Sequence, residues 1–430
     1  MELKNKKILV YGSGKSGQGA AALLEKIGAH PFIYDDNMGP LPSLGDVDGA
    51  VLSPGVPTDI PNVLAMKEAN IPVIGEVELA YLTGKGTVLA ITGTNGKTTT
   101  TSLVGEIMHA ARESVFVVGN IGTPYTSVSL ETKEDSVIVA EISSFQLETA
   151  VTFHPAVSAI LNITEDHLNR HHTMEEYIRV KESITKNQTK SDVCVLNYED
   201  EVLRNFGERC PASVIYFSSV RTLNDGLYLD GDDIIWAKNG EKIHVLNVND
   251  LNLIGVHNYE NVMAGIAIAC SAGVPMEVAV KAACAFTAVE HRIEYVGSKN
   301  GVVWYNDSKG TNPDAAIKGI EAMKWPTLLI GGGYDKGSDY RPWIQAFDGK
   351  VKYLVLEGKT RFDIEKAALE CGFPKDRIIM KENMTEAMDF CASHAENGDA
   401  VLLSPACASW GEFPNYEVRG REFKEYFHRL

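Results

Sequence analysis

Gly93-Thr94-Asn95-Gly96-Lys97-Thr98-Thr99 follows the apolar run Thr87-Val88-Leu89-Ala90-Ile91 and leads into a helix-forming stretch. A buried strand that ends in a glycine turn, then Gly-Lys-Thr, then a helix is a cradle for nucleotide phosphates. Glycines let backbone N–H groups face phosphate oxygens, and the helix N-terminus favours anions. Lys97 reaches the outer phosphates, and the Thr98 hydroxyl can ligate Mg²⁺. The general pattern has a glycine five residues before Gly96, where this chain has Ile91. A plain glycine-rich turn is the bland alternative; strand, Gly-Lys-Thr and helix together argue against it.

Upstream, Lys7-Ile8-Leu9-Val10-Tyr11 reads as a buried strand. Gly12-Ser13-Gly14-Lys15-Ser16-Gly17 and an Ala/Leu-rich helix follow, then a strand Pro31–Tyr34 ending in Asp35-Asp36. Strand, glycine loop, helix, strand and acid in that order form the dinucleotide fingerprint, which alone would suggest a dehydrogenase. Strands at Gly49–Ser53 and Ile71–Ile74 complete a first α/β domain ending near Gly84-Lys85-Gly86.

Downstream, Ser136–Glu141 and Ala156–Asn162 are apolar strands ending in polar residues. Ligands of open parallel sheets sit at the carboxyl ends of strands, so Glu141 and Asn162 are well placed. Glu141 suits an acidic metal ligand, and a solvated strand end is its competing reading. Asp166-His167-Leu168-Asn169-Arg170-His171-His172 is a dense polar loop in which His167 could meet a cation or simply be a loop residue. Thr173-Met174-Glu175-Glu176 reads as a capping box, which puts Tyr177 and Lys181 one turn apart on a helix face. An ammonium would repel Mg²⁺, so Lys181 otherwise reads as a surface lysine. Residues 213–256 look like short hairpins, and an Ala-rich helix is expected from about Tyr259. Asn258 and Asn261 suit the edge of adenine or a helix cap. From about Ala288 strands and helices alternate again, implying a third domain with a parallel sheet. There, Glu290-His291-Arg292 and Asn306-Asp307-Ser308-Lys309 each set a cation beside hydrogen-bonding groups. Gly331-Gly332-Gly333-Tyr334-Asp335-Lys336 reads as a turn with a useful lysine, and Cys407 as a packed small residue.

A chain of 430 residues is too long for one core and suggests about three domains. With 44% hydrophobic and 23% charged residues it is of ordinary globular composition. A net charge of −17 argues against nucleic acid or an anionic membrane as partner. The seven scattered cysteines form no C-x-x-C pair, which fits reduced thiols in the cytoplasm. The basic start, followed only by Ile8-Leu9-Val10 before glycines, is not expected to act as a signal peptide, and no run of 18 or more apolar residues is present.

These segments, in order, resemble the Mur ligases, the ATP-dependent enzymes that add amino acids to the peptidoglycan precursor. The residues that carry the likeness are the 93–98 loop, Glu141-Ile142-Ser143-Ser144-Phe145-Gln146-Leu147-Glu148, Asp166-His167, Tyr177 to Lys181, His257-Asn258 with Asn261, His291-Arg292, Asp307-Ser308-Lys309 with Thr311-Asn312, and Ser404-Pro405-Ala406-Cys407-Ala408-Ser409. The resemblance implies an α/β protein of three domains. Residues 1–86 would be a Rossmann-like UDP-substrate domain, 87–287 a central P-loop ATPase-type parallel sheet with appended hairpins, and 288–430 a Rossmann-like domain for the incoming amino acid. It replaces the dehydrogenase reading: the first glycine loop would bind UDP, with Ser13, Gly14, Asp35, Asp36, Asn37 and Gly55 as contacts and Asn120 also near the substrate.

The implied reaction is ATP-dependent addition of D-glutamate to UDP-N-acetylmuramoyl-L-alanine through an acyl phosphate. Gly93, Thr94, Asn95, Gly96, Lys97, Thr98 and Thr99 would hold ATP together with Asn258, Asn261, Arg292 and Asp307. Thr98 and Glu141 would bind one Mg²⁺, and His167 with a carbamylated Lys181 a second. Lys309, Thr311, Lys336, Ser409 and Tyr416 would receive D-glutamate. The expected state is a monomer whose third domain closes on ATP. Relatives that add L-lysine or diaminopimelate carry an Asp-Asn-Pro-Arg motif that is absent here. An L-alanine-adding relative is the alternative within the family, and a nucleotide-gated binding protein the alternative outside it. Two departures from the family pattern are Asn169, where Asp is usual, and Trp410-Gly411-Glu412, where Leu-Asp-Gln is commoner.

Overall fold

The computed structural model describes residues 3–41, 43–120, 122–287, 289–334 and 337–430. The chain divides into two compact units, Met1–Val248 with Glu260–Cys284, and Asn249–Tyr259 with Ala285–Leu430.

The first unit holds two sheets. β1 (Lys7–Tyr11) leads through a glycine loop into α1 (Lys15–Lys26), followed by β2 (His30–Tyr34), β3 (Gly49–Leu52) and β4 (Val73–Gly75). The four strands are parallel in the order β2-β1-β3-β4. Residues 8–11 of β1 are buried, as expected of a strand covered on both faces. Gly17 is required by close approach, because any Cβ there would overlap the Gly12 carbonyl. That contact brings α1 down onto β1 and opens the loop between them.

The second sheet begins with β5 (Thr87–Thr92), which feeds α2 (Lys97–Ala111). It continues with β6 (Val115–Gly119), β7 (Val137–Glu141), β8 (Val157–Ile160), α3 (Met174–Glu182), β9 (Val193–Asn197), β10 (Ser213–Ser218), β11 (Gly226–Asp230), β12 (Asp233–Lys238) and β13 (Glu241–Asn247). The order is β13-β12-β11-β10-β9-β8-β5-β7-β6. The hairpin expectation for 213–256 is corrected in part. β10 pairs parallel to both β9 and β11, and only β11, β12 and β13 form an antiparallel meander. Glu78 ties the two sheets together: its buried carboxylate accepts the backbone N–H groups of Val151 (2.8 Å), Thr152 (2.7 Å) and Phe153 (3.0 Å). A carboxylate inside such a nest of donors is well compensated for burial. α4 (Val256–Ser271) starts three residues before the expected helix.

The second unit carries β14 (Glu294–Lys299), β15 (Val302–Asn306), α5 (Pro313–Glu321), β16 (Thr327–Gly333), β17 (Val351–Gly358), β18 (Ile378–Met380), β19 (Ala400–Leu403) and α6 (Tyr416–Arg429). The sheet order is β14-β15-β19-β16-β17-β18, parallel except for the β14–β15 hairpin. Gly331 to Gly333 are corrected from turn to strand: they pair with Leu356, Glu357 and Gly358. A Cβ on Gly332 would strike the Glu357 carbonyl, and one on Gly333 the Ala408 carbonyl. The glycines therefore let two neighbouring backbones approach the strand end.

Candidate active site

β5 ends at Thr92, and the chain turns through Gly93 (φ +149°) and Gly96 (φ +84°), conformations that suit glycine. Thr94 N–H donates to the Asn162 carbonyl (2.9 Å) and Asn95 N–H to the Asn162 side chain (2.8 Å). Asn162 thus clamps the loop from the end of the neighbouring strand. The Lys97 ammonium folds back onto the carbonyls of Gly93 (2.9 Å) and Thr94 (2.9 Å). Thr98 is half-buried and Thr99 buried in the first turn of α2. Thr100 donates to the Asn261 side chain (3.2 Å), and Asn261 leaves no space for a Cβ at Gly96. The loop and Asn261 are therefore brought together as the sequence suggested.

Lys181 is 2% exposed, and its ammonium donates to the same Gly93 carbonyl at 2.9 Å. It lies 4.7 Å from the centre of the Tyr177 ring, so the one-turn spacing on α3 is realised. Burial above all, then the Lys97 charge, pull its pKa from 10.5 to about 7, against the pull of Asp166. A surface lysine is excluded. Of the expected capping box only half forms: Thr173 accepts from Glu176 N–H, while the Glu176 carboxylate pairs with Arg179.

Glu141 ends β7 and is 1% exposed. Its Oε1 accepts from Asn120 Nδ2 (2.8 Å), and its Oε2 is buried with no hydrogen-bond partner. A buried carboxylate oxygen without a donor costs free energy unless a cation meets it, so Glu141 fits a Mg²⁺ ligand. His167, at φ +54°, is about half exposed, packs against Phe145 and lies 3.5 Å from an Asp166 oxygen. Among the described residues no three His, Cys, Asp or Glu side chains gather as a metal cluster. Glu141 and His167 are thus not joined by a third such ligand. A Mg²⁺ here would rely on hydroxyl, phosphate and water oxygens.

A cavity of about 710 Å³ opens beside the first glycine loop. Ser13, Gly14, Asp35, Asp36 and Gly55 line it together with Asn120 and Gln146 from the second sheet. Asp35 accepts from Ser13 N–H (3.2 Å) and Oγ (2.8 Å), bonds that hold its carboxyl below the usual range. Tyr11 donates to Asp36 and accepts from Asn62 (3.1 Å); burial and Asp36 push its phenol up to about 12. Asn37 does not line the cavity and donates instead to Asp35 (3.1 Å).

In the second unit, Asp307 is 4% exposed at the end of β15. It accepts from Ser404 Oγ (2.7 Å) and Ile293 N–H (3.3 Å). Burial raises its pKa to about 7, opposed by the Ser404 bond and the Arg292 charge. Arg292 Nε is buried without a partner. His257, half-buried and near Arg292 and Lys318, is held neutral with its pKa lowered to about 4, chiefly by desolvation. Asn258 donates its side-chain amide back to the Ile254 carbonyl (2.8 Å), which is not the acceptor role of a helix cap. Lys309 Nζ lies 5.6 Å from the centre of the Tyr416 ring, Ser409 is buried and Thr311 half-buried. Lys336 lies outside the described residues. Arg419, fully buried, donates to Ser308 Oγ (3.0 Å), the Ser308 carbonyl (2.9 Å) and the Cys407 carbonyl (3.1 Å). Arg419 is a functional candidate that the sequence alone did not single out. Its signal was an arginine three residues into a helix whose first residue, Tyr416, was already assigned. Cys407 is buried against Tyr340 and Thr360, and burial raises its thiol pKa, as suits a packing residue.

A glycine cradle closed by a lysine at a helix N-terminus, with a buried and partly unsatisfied carboxylate on the neighbouring strand, defines a P-loop nucleotide-binding protein. Residues 91–269 match the Mur ligase middle domain, and residues 291–407 match the Mur ligase glutamate ligase domain. UDP-N-acetylmuramoylalanine–D-glutamate ligase of Lachnoclostridium phytofermentans is 56% identical, over 100% of this chain and 99% of the relative. The enzyme of the same name from Clostridioides difficile is 46% identical over 100% of both. Among solved structures, UDP-N-acetylmuramate-alanine ligase MurC from Thermotoga maritima shares the fold with a TM-score of 0.63 at 19% identity, covering 99% of each chain. The chain belongs to the Mur ligase family, in the branch of UDP-N-acetylmuramoylalanine–D-glutamate ligases.

Proposed function

We propose that this enzyme uses ATP to join D-glutamate to UDP-N-acetylmuramoyl-L-alanine, releasing ADP and phosphate in peptidoglycan precursor synthesis. The observation that carries this reading is full-length identity of 56% to a relative of that name, combined with the phosphate loop. The division at residues 86/87 and 287/288, a cytoplasmic setting and a monomeric state belong to the same proposal.

A carboxylate resists attack by an amine because oxide is a poor leaving group. Transfer of the γ-phosphoryl group to the precursor carboxylate supplies phosphate as the leaving group, and the D-glutamate amine then attacks the acyl carbon. In our reading Lys97 leaves the Gly93 and Thr94 carbonyls for the phosphates, while the N–H groups of residues 93–98 cradle them. Thr98 and Glu141 would hold one Mg²⁺, and His167 with carbamylated Lys181 a second. The ions would neutralise charge on the transferring group. Supporting the carbamate is a lysine pKa near 7, because only the neutral amine adds to CO₂. Asn120 donates to Glu141 and would orient it. Asn258, Asn261, Arg292 and Asp307 would hold the nucleotide. Lys309, Thr311, Lys336, Ser409 and Tyr416 would receive D-glutamate, and Ser13, Gly14, Asp35, Asp36, Gly55 and Asn120 the UDP precursor, with Asn37 acting through its bond to Asp35.

The test is ADP release with ATP, Mg²⁺ and a panel of UDP-muramoyl precursors and amino acids. Turnover that requires UDP-N-acetylmuramoyl-L-alanine and D-glutamate together is expected. Fastest turnover with UDP-N-acetylmuramate and L-alanine would sink the assignment, and so would nucleotide binding without turnover.

A further inference from the structure

One buried ion pair in the first unit has no part in the roles above. Arg170 Nε donates to Glu148 Oε1 (3.1 Å) and Nη2 to Glu148 Oε2 (2.7 Å), a two-pronged contact whose side chains are 10% and 9% exposed. Arg170 Nη2 also donates to the Val56 carbonyl (2.9 Å), and Val56 lines the cavity assigned to the UDP precursor. Thr58 Oγ1 donates to Glu148 Oε2 (3.4 Å), and His172 meets Asp59 at 2.8 Å. Segments 56–59 and 166–172 are therefore tied directly at two points and through Glu148 at a third.

The same pair reaches the phosphate side. Glu148 directly follows the helical turn Ser144–Leu147, whose Gln146 lines the cavity. His171 bonds Ser144 Oγ (2.9 Å) and lies 3.4 Å from Glu148. The Phe145 ring packs against both the Arg170 guanidinium (4.9 Å) and the His167 ring (4.9 Å).

Resting on the function proposed above, we infer that Arg170 and Glu148 are positioning residues. They fix the UDP-precursor cavity against the loop bearing His167, so that the precursor carboxylate meets the γ-phosphate at the right separation. A buried fork cannot be replaced by an ammonium: lysine keeps the charge but loses the paired geometry and the third bond to Val56. Misplacement of reacting groups by a fraction of a bond length is costly in rate, although neither side chain touches the reacting atoms.

The test uses the full chain with Arg170→Met, Arg170→Lys and Glu148→Gln, each verified as folded by circular dichroism. In Arg170→Met and Glu148→Gln, KM for UDP-N-acetylmuramoyl-L-alanine should rise about tenfold and kcat fall about tenfold, with KM for ATP unchanged. Arg170→Lys preserves charge and stem, and should fold while raising the precursor KM about fivefold. An unchanged precursor KM in a folded variant, or an equal rise in KM for ATP, overturns the inference. Should the wild type fail to turn over these substrates, the functional reading falls. The positioning claim is then read from calorimetry with the UDP precursor, where Arg170→Lys should bind several-fold more weakly and equal affinity would overturn it.

Discussion

Replacing Lys181 with methionine should make the protein more stable at low pH, and the advantage should shrink as pH rises. Lys181 is 2% exposed and its pKa falls from 10.5 to about 7. A fall of that size corresponds to at most about 5 kcal/mol of penalty on the charged form. The sign follows from proton counting. Between pH 7 and 10.5 the unfolded chain keeps a proton that the native lysine has lost, so wild-type stability rises with pH by about 1.4 kcal/mol per unit. Below pH 7 the penalty is fully present. From pH 6 to pH 9 the wild type should therefore gain about 3 kcal/mol relative to Lys181→Met. Loss of the Gly93 bond offsets the variant's advantage by about 1 kcal/mol, and loss of the Tyr177 ring contact adds to that offset only while the ammonium is charged. Urea unfolding in CO₂-free buffer, followed by circular dichroism at pH 6, 7, 8 and 9, measures the difference. A difference equal at pH 6 and pH 9 would refute a buried, readily neutral amine. At pH 7 about half of such lysines are neutral, against about one in 3000 for an ordinary one, which is the chemical basis of the carbamylation proposed above. With ¹³C-bicarbonate the wild type should show a carbamate resonance that Lys181→Met lacks.

Glu141→Gln should keep the Asn120 side of the site but raise the Mg²⁺ needed for half-maximal turnover and lower kcat by about 100-fold or more, read from a Mg²⁺ titration. Asp307 has its folded pKa raised to about 7 by burial, so stability present below pH 4 should be lost as pH rises through 7. Asp307→Asn should remove most of that decline, worth at most about 4 kcal/mol, when urea midpoints are compared at pH 4 and pH 8. Gly96→Ala places a Cβ at φ +84° against Asn261, and should destabilise by about 1–2 kcal/mol while abolishing ATP binding measured by calorimetry.

The phosphate loop, the first glycine loop and the ends of β7 and β15 were legible because each couples an apolar run to a glycine or charge at a fixed offset. Lys181 was legible only as an oddity on a helix face; its burial and its bond to Gly93, 88 residues away in sequence, are tertiary facts. β6, β9, β14 and β18 were not picked out. β14 is an edge strand with much of its surface exposed, so it carries no apolar run. The triple glycine misled because glycine signals a turn and a close backbone approach alike, and here Glu357 and Ala408 decide the matter. Arg170 and Glu148 escaped because their partnership spans 22 residues and their third partner, Val56, offers only a carbonyl.

The central claim is that ATP activates the precursor carboxylate, and ¹⁸O transfer tests it most directly. UDP-N-acetylmuramoyl-L-alanine labelled with ¹⁸O in the alanine carboxylate is turned over with ATP and D-glutamate, and the released phosphate is analysed by mass spectrometry. An acyl phosphate route delivers one labelled oxygen to each phosphate formed. Unlabelled phosphate alongside amide product would contradict the account.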